Sequence, residues 1–328
     1  MVTASVILED DYSHPRARDP LWRESAWFTI SVPERKLHGF ICVDLRPRLR
    51  TASTGVVLYE PVGEEVYDCV HYDWVERPAV DVEAALFEFS KPDNLAVRCV
   101  EPGNRYRITY DRNDVELDVE FNGLAPVVTS PFEPGSDGWG SGQDEQPGRM
   151  TGVLWIRGEK HSISCVSSRG RMWGVRDYRR RSWAEFPRHD RPWFNDGAGR
   201  AMSMYTVPTR EPERDFVHYA SDRLLSGWFH DGVRTAALVR GDRKVLERRR
   251  DGVATVVAIE GEDELGRRFA AEGRRVALLK WSGLPGLIAF PALYEWQLDS
   301  GDQVWGGTCE VFPADFFRQF VRRSRGRY

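Results

Sequence analysis

The run Val115-Glu116-Leu117-Asp118-Val119-Glu120-Phe121 decides the class of fold. Val115, Leu117, Val119 and Phe121 alternate strictly with Glu116, Asp118 and Glu120. A period of two puts the apolar set on one face and the acids on the other, which is a strand with one dry and one wet side. Just before it, RYRITY (105–110) brings Tyr106, Ile108 and Tyr110 together in the same way. Working outward, β-branched and aromatic runs recur: AWFTISV (26–32), HGFICVDL (38–45), TGVVLYE (54–60), TGVLWIRG (151–158), ATVVAIEG (254–261), RRVALLKW (274–281) and VWGGTCEVF (304–312). Gly, Pro, Asn and Asp separate them at short intervals. Many short strands with turns between them predict an all-β sandwich or barrel. Only PADFFRQFVRR (313–323) reads as a helix, with Pro313 suited to its first turn and Phe316/Phe320 and Phe317/Val321 paired four apart.

The chain has 328 residues, 41% hydrophobic and 29% charged, with a net charge of -4. That length suits two ordinary domains or one large β domain. A net acidic chain lacks the basic surface that bulk nucleic-acid binding requires. The N-terminus has no basic stretch followed by an apolar one, so no secretory signal is expected. No apolar run reaches the roughly 18 residues of a spanning helix. The longest, LPGLIAFPALYEW (284–296), is broken by Pro285 and Pro291. Stable membrane insertion is not expected, and the expected location is the cytoplasm. Cys42, Cys69, Cys99, Cys165 and Cys309 are scattered singly without zinc spacing, which predicts buried free thiols and no metal site.

Phosphate-loop, zincin and nucleophile-elbow motifs are absent. The Gly-rich stretch PGSDGWGSGQDEQPGR (134–149) joins no strand to a helix, so it reads as a boundary and not as a dinucleotide loop. It divides the chain into an N-terminal β domain, 1–140, and a C-terminal one, 141–328.

Several stretches carry candidate chemistry. In CVHYDWVERP (69–78), alternation puts His71 and Asp73 on one face and Tyr72 and Trp74 on the other. His71 and Asp73 serve equally as an acid–base pair or as a solvated cross-strand pair. RHDRPWFNDG (188–197), with His189, Asp190, Trp193 and Asp196, reads as a surface turn. PALYEWQL (291–298) offers Tyr294, Glu295 and Trp296. In WGVRDY (173–178), Trp173, Val175 and Asp177 share a face, and Gly174, Arg176 and Tyr178 share the other. A carboxyl beside a tryptophan on a dry face would hold its proton and act as an acid. The same Asp and Arg also suit a buried clamp closing a barrel end.

The order DEQPGRMTGVLWIRGEKHSISCVSSRGRMWGVRDY (144–178) resembles the lipocalin-like superfamily of the carotenoid 1,2-hydratases and AttH-type proteins. Glu145-Gln146, Gly152, Gly158 and WGVRDY match that pattern in kind and order; WRESAWFTISV (22–32) and LYEWQLDSG (293–301) fit as well. The resemblance implies two consecutive antiparallel lipocalin-like barrels or half-barrels around a hydrophobic pocket, with a short C-terminal helix. Where the family carries Asp-His before x-Trp-Gly, this chain has Gly170-Arg171, and arginine is a poor proton donor. The resemblance carries over Trp173 but not the histidine. The expected function is a cofactor-free enzyme of lyase or isomerase type. It would act on a hydrophobic terpenoid, steroid or polyketide by hydration, dehydration, isomerisation or cyclisation. Asp177, Asp73 or His71 would be the acid or base. Trp173 and Trp74 would stabilise developing cations. Arg171, Arg176, Tyr178, Tyr294 and Glu295 would bind substrate. A pericyclase that only folds its substrate, a non-catalytic carrier and a carbohydrate-binding sandwich are the alternatives.

Overall fold

The computed structural model describes residues 19–79, 86–90, 95–131, 140–176, 188–208, 222–284 and 286–324. Eleven strands make the first sheet: β1 (Trp22–Val32), β2 (Leu37–Arg46), β3 (Thr51–Tyr59), β4 (His71–Ala79), β5 (Glu88–Ser90), β6 (Leu95–Glu101), β7 (Arg105–Arg112), β8 (Val115–Gly123), β9 (Val128–Pro131), β10 (Gly142–Ile156) and β11 (Glu159–Val175). Their order is β4-β3-β2-β1-β11-β10-β8-β7-β6-β5, with β9 paired to β10. Eight more form a closed antiparallel barrel: β12 (Trp193–Asn195), β13 (Arg200–Pro208), β14 (Asp222–Asp231), β15 (Thr235–Arg248), β16 (Ala254–Asp263), β17 (Arg268–Leu278), β18 (Leu287–Leu298) and β19 (Gln303–Pro313). Short β12 pairs with both β13 and β19 and so closes the ring. Helix α1 (Ala314–Ser324) follows. The all-β fold and the C-terminal helix are as expected from the strand periodicity. The expected 140/141 boundary falls inside the first sheet, where Gly142 of β10 faces Pro131 of β9. The change from sheet to barrel comes between Val175 and Trp193.

β8 alternates in the structure as it does in the sequence: Val115, Leu117, Val119 and Phe121 are buried, and Glu116 and Asp118 exposed. β10 and β11 form the longest hairpin, turning at Arg157 and Gly158 with φ of 52° and 79°. Positive φ at both central positions is the turn whose twist matches a hairpin, and a glycine is the residue suited to it.

Two interiors and one seam hold the molecule together. The first sheet curls around Phe28, Ile41, Phe87, Tyr106, Val119 and Met150. The barrel is filled by Phe194, Met204, Phe229, Ile259, Phe290 and Trp296. Between them, the outer face of β1–β3 meets the outer face of β17–β19 through Phe40, Val57, Leu279, Trp281, Leu287 and Val311. Polar clasps reinforce this seam. Glu145 of β10 accepts from Ser203 Oγ (2.9 Å) and Trp228 Nε1 (3.0 Å) and pairs with Arg191. Asn195 Nδ2 donates to the Gly148 carbonyl at 2.9 Å, and Arg249 grips both oxygens of Glu64 at 2.7 and 2.6 Å. Gln146, next to Glu145, instead donates to the carbonyls of Gly103 and Ala125, inside the first sheet's own loops.

RHDRP is not a surface turn. Arg188 and Asp190 are 2% and 0% exposed. Arg188, Arg243 and Arg248 interlock with Asp190, Asp222 and Glu310 in a buried network of three cations and three anions. Polar composition predicts exposure only while each charge is considered alone; paired, the set is neutral and can be enclosed. Among the described residues, no helix is long and apolar enough to cross a membrane, and no three His, Cys, Asp or Glu side chains converge as a metal site.

A candidate active site between the sheet and the barrel

A cavity of about 200 Å³ opens in the seam, walled by the outward faces of both units. β1 contributes Arg23, Trp27 and Thr29; β2 contributes His38 and Phe40; β3 contributes Tyr59; β11 contributes Ser168, Gly170 and Met172. Residues two apart on one strand share a face, which is why these sets alternate. His189, Arg191, Trp193 and Tyr205 close it from the barrel side, with Trp281, Pro291, Thr308 and Cys309. From Arg23 to Thr29 the wall runs six residues along β1, about 20 Å at about 3.3 Å per residue.

The middle of the cavity is aromatic. Trp27 lies 5.2 Å from Phe40 and 5.7 Å from Trp281, and Phe40 lies 5.4 Å from Trp281, ring centre to ring centre. Trp74 backs this cluster, edge-on to Trp281 at 4.9 Å. Such faces suit a flat or polyene body and a developing positive charge. At one end, His38 Nδ1 is 2.8 Å from Ser31 Oγ. Burial pushes this imidazole down to about 4, against the opposing pull of the Ile30 backbone, so it is neutral at pH 7. Tyr59 stands edge-on to His38 at 5.6 Å, and burial raises its phenol well above the ordinary value. His189 stacks on Tyr205 at 6.0 Å.

Three guanidiniums reach the cavity. Arg23 is paired with Asp44, and Arg191 with Glu145. Arg191 fits because Gly170 has no side chain: a Cβ there would sit 3.2 Å from both terminal nitrogens of Arg191. Arg176, whose backbone amide donates to the Leu21 carbonyl at 3.2 Å, is only 9% exposed; its Nε and Nη2 are buried without a hydrogen-bond partner among the described residues.

Of the residues singled out in the sequence, Arg176, His189 and Trp193 line this cavity and Trp74 supports it. Arg171 and Trp173 lie on the opposite face of β11 from Met172. There Arg171 bonds Glu24 Oε2 at 3.1 Å and lies against the rings of Phe87 and Trp173. His71 and Asp73 do share a face, as expected, joined through Tyr110: its hydroxyl is 2.8 Å from His71 Nε2 and donates to Asp73 Oδ2 at 2.8 Å. Arg112 adds an ion pair to Asp73 at 3.1 Å. This chain of contacts ties β4 to β7, and none of its members lines the cavity. Tyr294 points into the barrel and donates to the Ala254 carbonyl at 3.0 Å, and Glu295 is on the other face of β18; neither lines the cavity. Asp177 and Tyr178 lie outside the described residues. His38, Tyr59, Trp27, Trp281 and Arg191 had not been singled out. The spacing of His189, Arg191 and Trp193 two apart was the one available signal.

A family sequence model described as a domain of unknown function (DUF7064) matches residues 8–308. No curated protein matches the chain. Among solved structures, it is similar to an AttH-like protein from Nitrosomonas europaea: TM-score 0.61, 14% identity, covering 89% of this chain and 93% of the other. It is similar to kievitone hydratase from Nectria haematococca at TM-score 0.54 and 10% identity, covering 94% and 93%. Similarity to CghA has a TM-score of 0.50 at 9% identity, covering 90% and 89%. At these identities the likeness establishes the fold, and that fold is the lipocalin-like one expected from residues 144–178.

Proposed function

This chain belongs to the DUF7064 family, and we propose that it is an enzyme acting on a hydrophobic metabolite held in the seam cavity. The reaction is hydration or dehydration, isomerisation or cyclisation, of lyase or isomerase type, driven by the protein's own side chains. The observation that carries this reading is the meeting of an aromatic wall with titratable groups in one cavity. Trp27, Phe40 and Trp281 seat the apolar body and stabilise positive charge developing on it. His38, neutral and fixed by Ser31, takes or returns a proton at Nε2. Asp177, which follows Arg176 in the chain, is the proposed carboxylic acid partner. The name of kievitone hydratase agrees with chemistry on a small molecule but assigns none to this chain.

The experiment begins with mass spectrometry of hydrophobic small molecules that co-purify with the protein. Compounds of that class are then incubated with it in D2O. Hydration, or isomerisation or cyclisation begun by protonation, places deuterium on a product carbon, and dehydration is read instead as the loss of one water from the product mass. Replacing His38 by Gln, or Asp177 by Asn, lowers the rate by about 10²–10⁴ where the residue transfers the proton. A second reading is favoured by Gly170-Arg171, which stand where the family resemblance expects Asp-His: the cavity only folds its substrate for a pericyclic step. That reaction yields an isomer with no solvent deuterium. Binding without conversion in any such compound would leave a carrier and end the enzyme reading.

A further inference from the structure

We infer that the ligand of the seam cavity carries an anionic group (a carboxylate, enolate or sulfonate) at the end of its apolar body, and that Arg176 receives it. This rests on the reading of the cavity as a hydrophobic-ligand site. The charges on the cavity wall decide it. Arg23 is neutralised by Asp44, and Arg191 by Glu145. His38 is neutral, and burial keeps the Tyr59 phenol and the Cys309 thiol protonated. Among the arginines of the described wall, Arg176 remains: it is nine-tenths buried and faces the cavity, and its Nε and Nη2 make no hydrogen bond to a described residue. A guanidinium removed from water without an acceptor is costly to the fold, so an acceptor supplied by a ligand recovers more than an ordinary contact. Nε and one terminal nitrogen form a two-pronged donor matched to a planar anion.

The strand register gives the orientation. Arg176 lies across from Leu21, at the Arg23 end of β1; Trp27 pairs with Gly170 four residues further along, and Thr29 and His38 lie beyond it. The anion therefore sits at the Arg23–Arg176 end. The apolar body runs over Trp27, Phe40 and Trp281 towards His38 and Tyr59. The class is an amphipathic acid with a flat or polyene body.

Two probes with one ring framework test this: 1-anilinonaphthalene-8-sulfonate, and N-phenyl-1-naphthylamine, which lacks the sulfonate. Each is titrated by fluorescence into the full chain at low salt. The wild type is expected to bind the sulfonate at least tenfold more tightly, and the two probes compete. Arg176→Gln removes that advantage and leaves the neutral probe within twofold, whereas Arg176→Lys retains part of it. Because no partner is stranded, Arg176→Gln melts at or above the wild-type temperature. An advantage below threefold in the wild type, or one that survives Arg176→Gln, overturns the inference and leaves the cavity reading intact. So does an Arg176→Gln protein that fails to fold, since the charge would then be neutralised by the protein itself. If the neutral probe does not bind, or binds Trp27→Ala as well as the wild type, the cavity reading itself fails.

Discussion

Glu145→Gln is the sharpest test of how sheet and barrel are joined. The carboxylate is 2% exposed and takes three donors: Ser203 Oγ and Arg191 on Oε1, and Trp228 Nε1 on Oε2. The amide has the same shape but only one acceptor. With its oxygen kept towards Ser203 and Arg191, its NH2 faces the indole N–H of Trp228, donor against donor. The charge on Arg191 also loses its partner. Breaking a buried pair from one side costs about 3–5 kcal/mol, and the 20% exposure of the Arg191 side chain argues for the lower part of that range. Unfolding entropy of about 2.1 cal/mol/K per residue, over 328 residues, is about 0.7 kcal/mol/K. For about 3–4 kcal/mol the expected fall in Tm is then roughly 4–6 °C when the chain unfolds as one unit. Arg191→Met supplies the other arm of a double-mutant cycle, because the double variant strands no charge. Calorimetry on all four proteins measures the coupling. A Glu145→Gln protein melting within 1 °C of wild type, or effects additive within about 0.5 kcal/mol, would refute the clasp.

Two further outcomes follow from burial at the same seam. The folded His38 holds its proton only below about 4, against 6.5 as its ordinary value, so the unfolded chain binds the proton first. Stability from this group is complete above pH 6.5 and is lost as pH falls from 6.5 to 4, by at most about 3 kcal/mol; His38→Gln should flatten that part of a urea-midpoint profile, and an unchanged slope would contradict it. Burial pushes the Cys309 thiol up to about 12, which leaves roughly one molecule in ten thousand as thiolate at pH 8; iodoacetamide should label Cys309 only after unfolding, and rapid labelling of the native protein would show that the cavity is wet and open.

The architecture was readable because strand alternation is local. VELDVEF buries the side chains its spacing says it should, and the Phe316/Phe320 and Phe317/Val321 spacing marked α1. The cavity was much less readable. β11 is covered on both faces, so alternation separates Met172 from Trp173 without telling which of them meets the cavity. His38 and Tyr59 look like ordinary strand residues; only the docking of β1–β3 against β17–β19 brings them to the cavity. His189 was hidden by its charged neighbours, since three cations and three anions spread from Arg188 to Glu310 cancel only once the barrel has closed.

The cavity is built from the outward faces of two independently filled bodies, and that separates specificity from foldability. Met172, Leu284, Leu287, Ala289 and Val311 all line the cavity, and none belongs to the cluster of side chains that fills the sheet or the barrel. Exchanging them reshapes the space for a ligand while Phe28, Tyr106, Phe229 and Trp296 keep their neighbours. Leu287, Ala289 and Val311 belong to the buried seam cluster, so changes there act on the joint between sheet and barrel and not on either interior. A directed library restricted to Met172 and Leu284, which are only partly buried, should therefore yield mostly folded proteins.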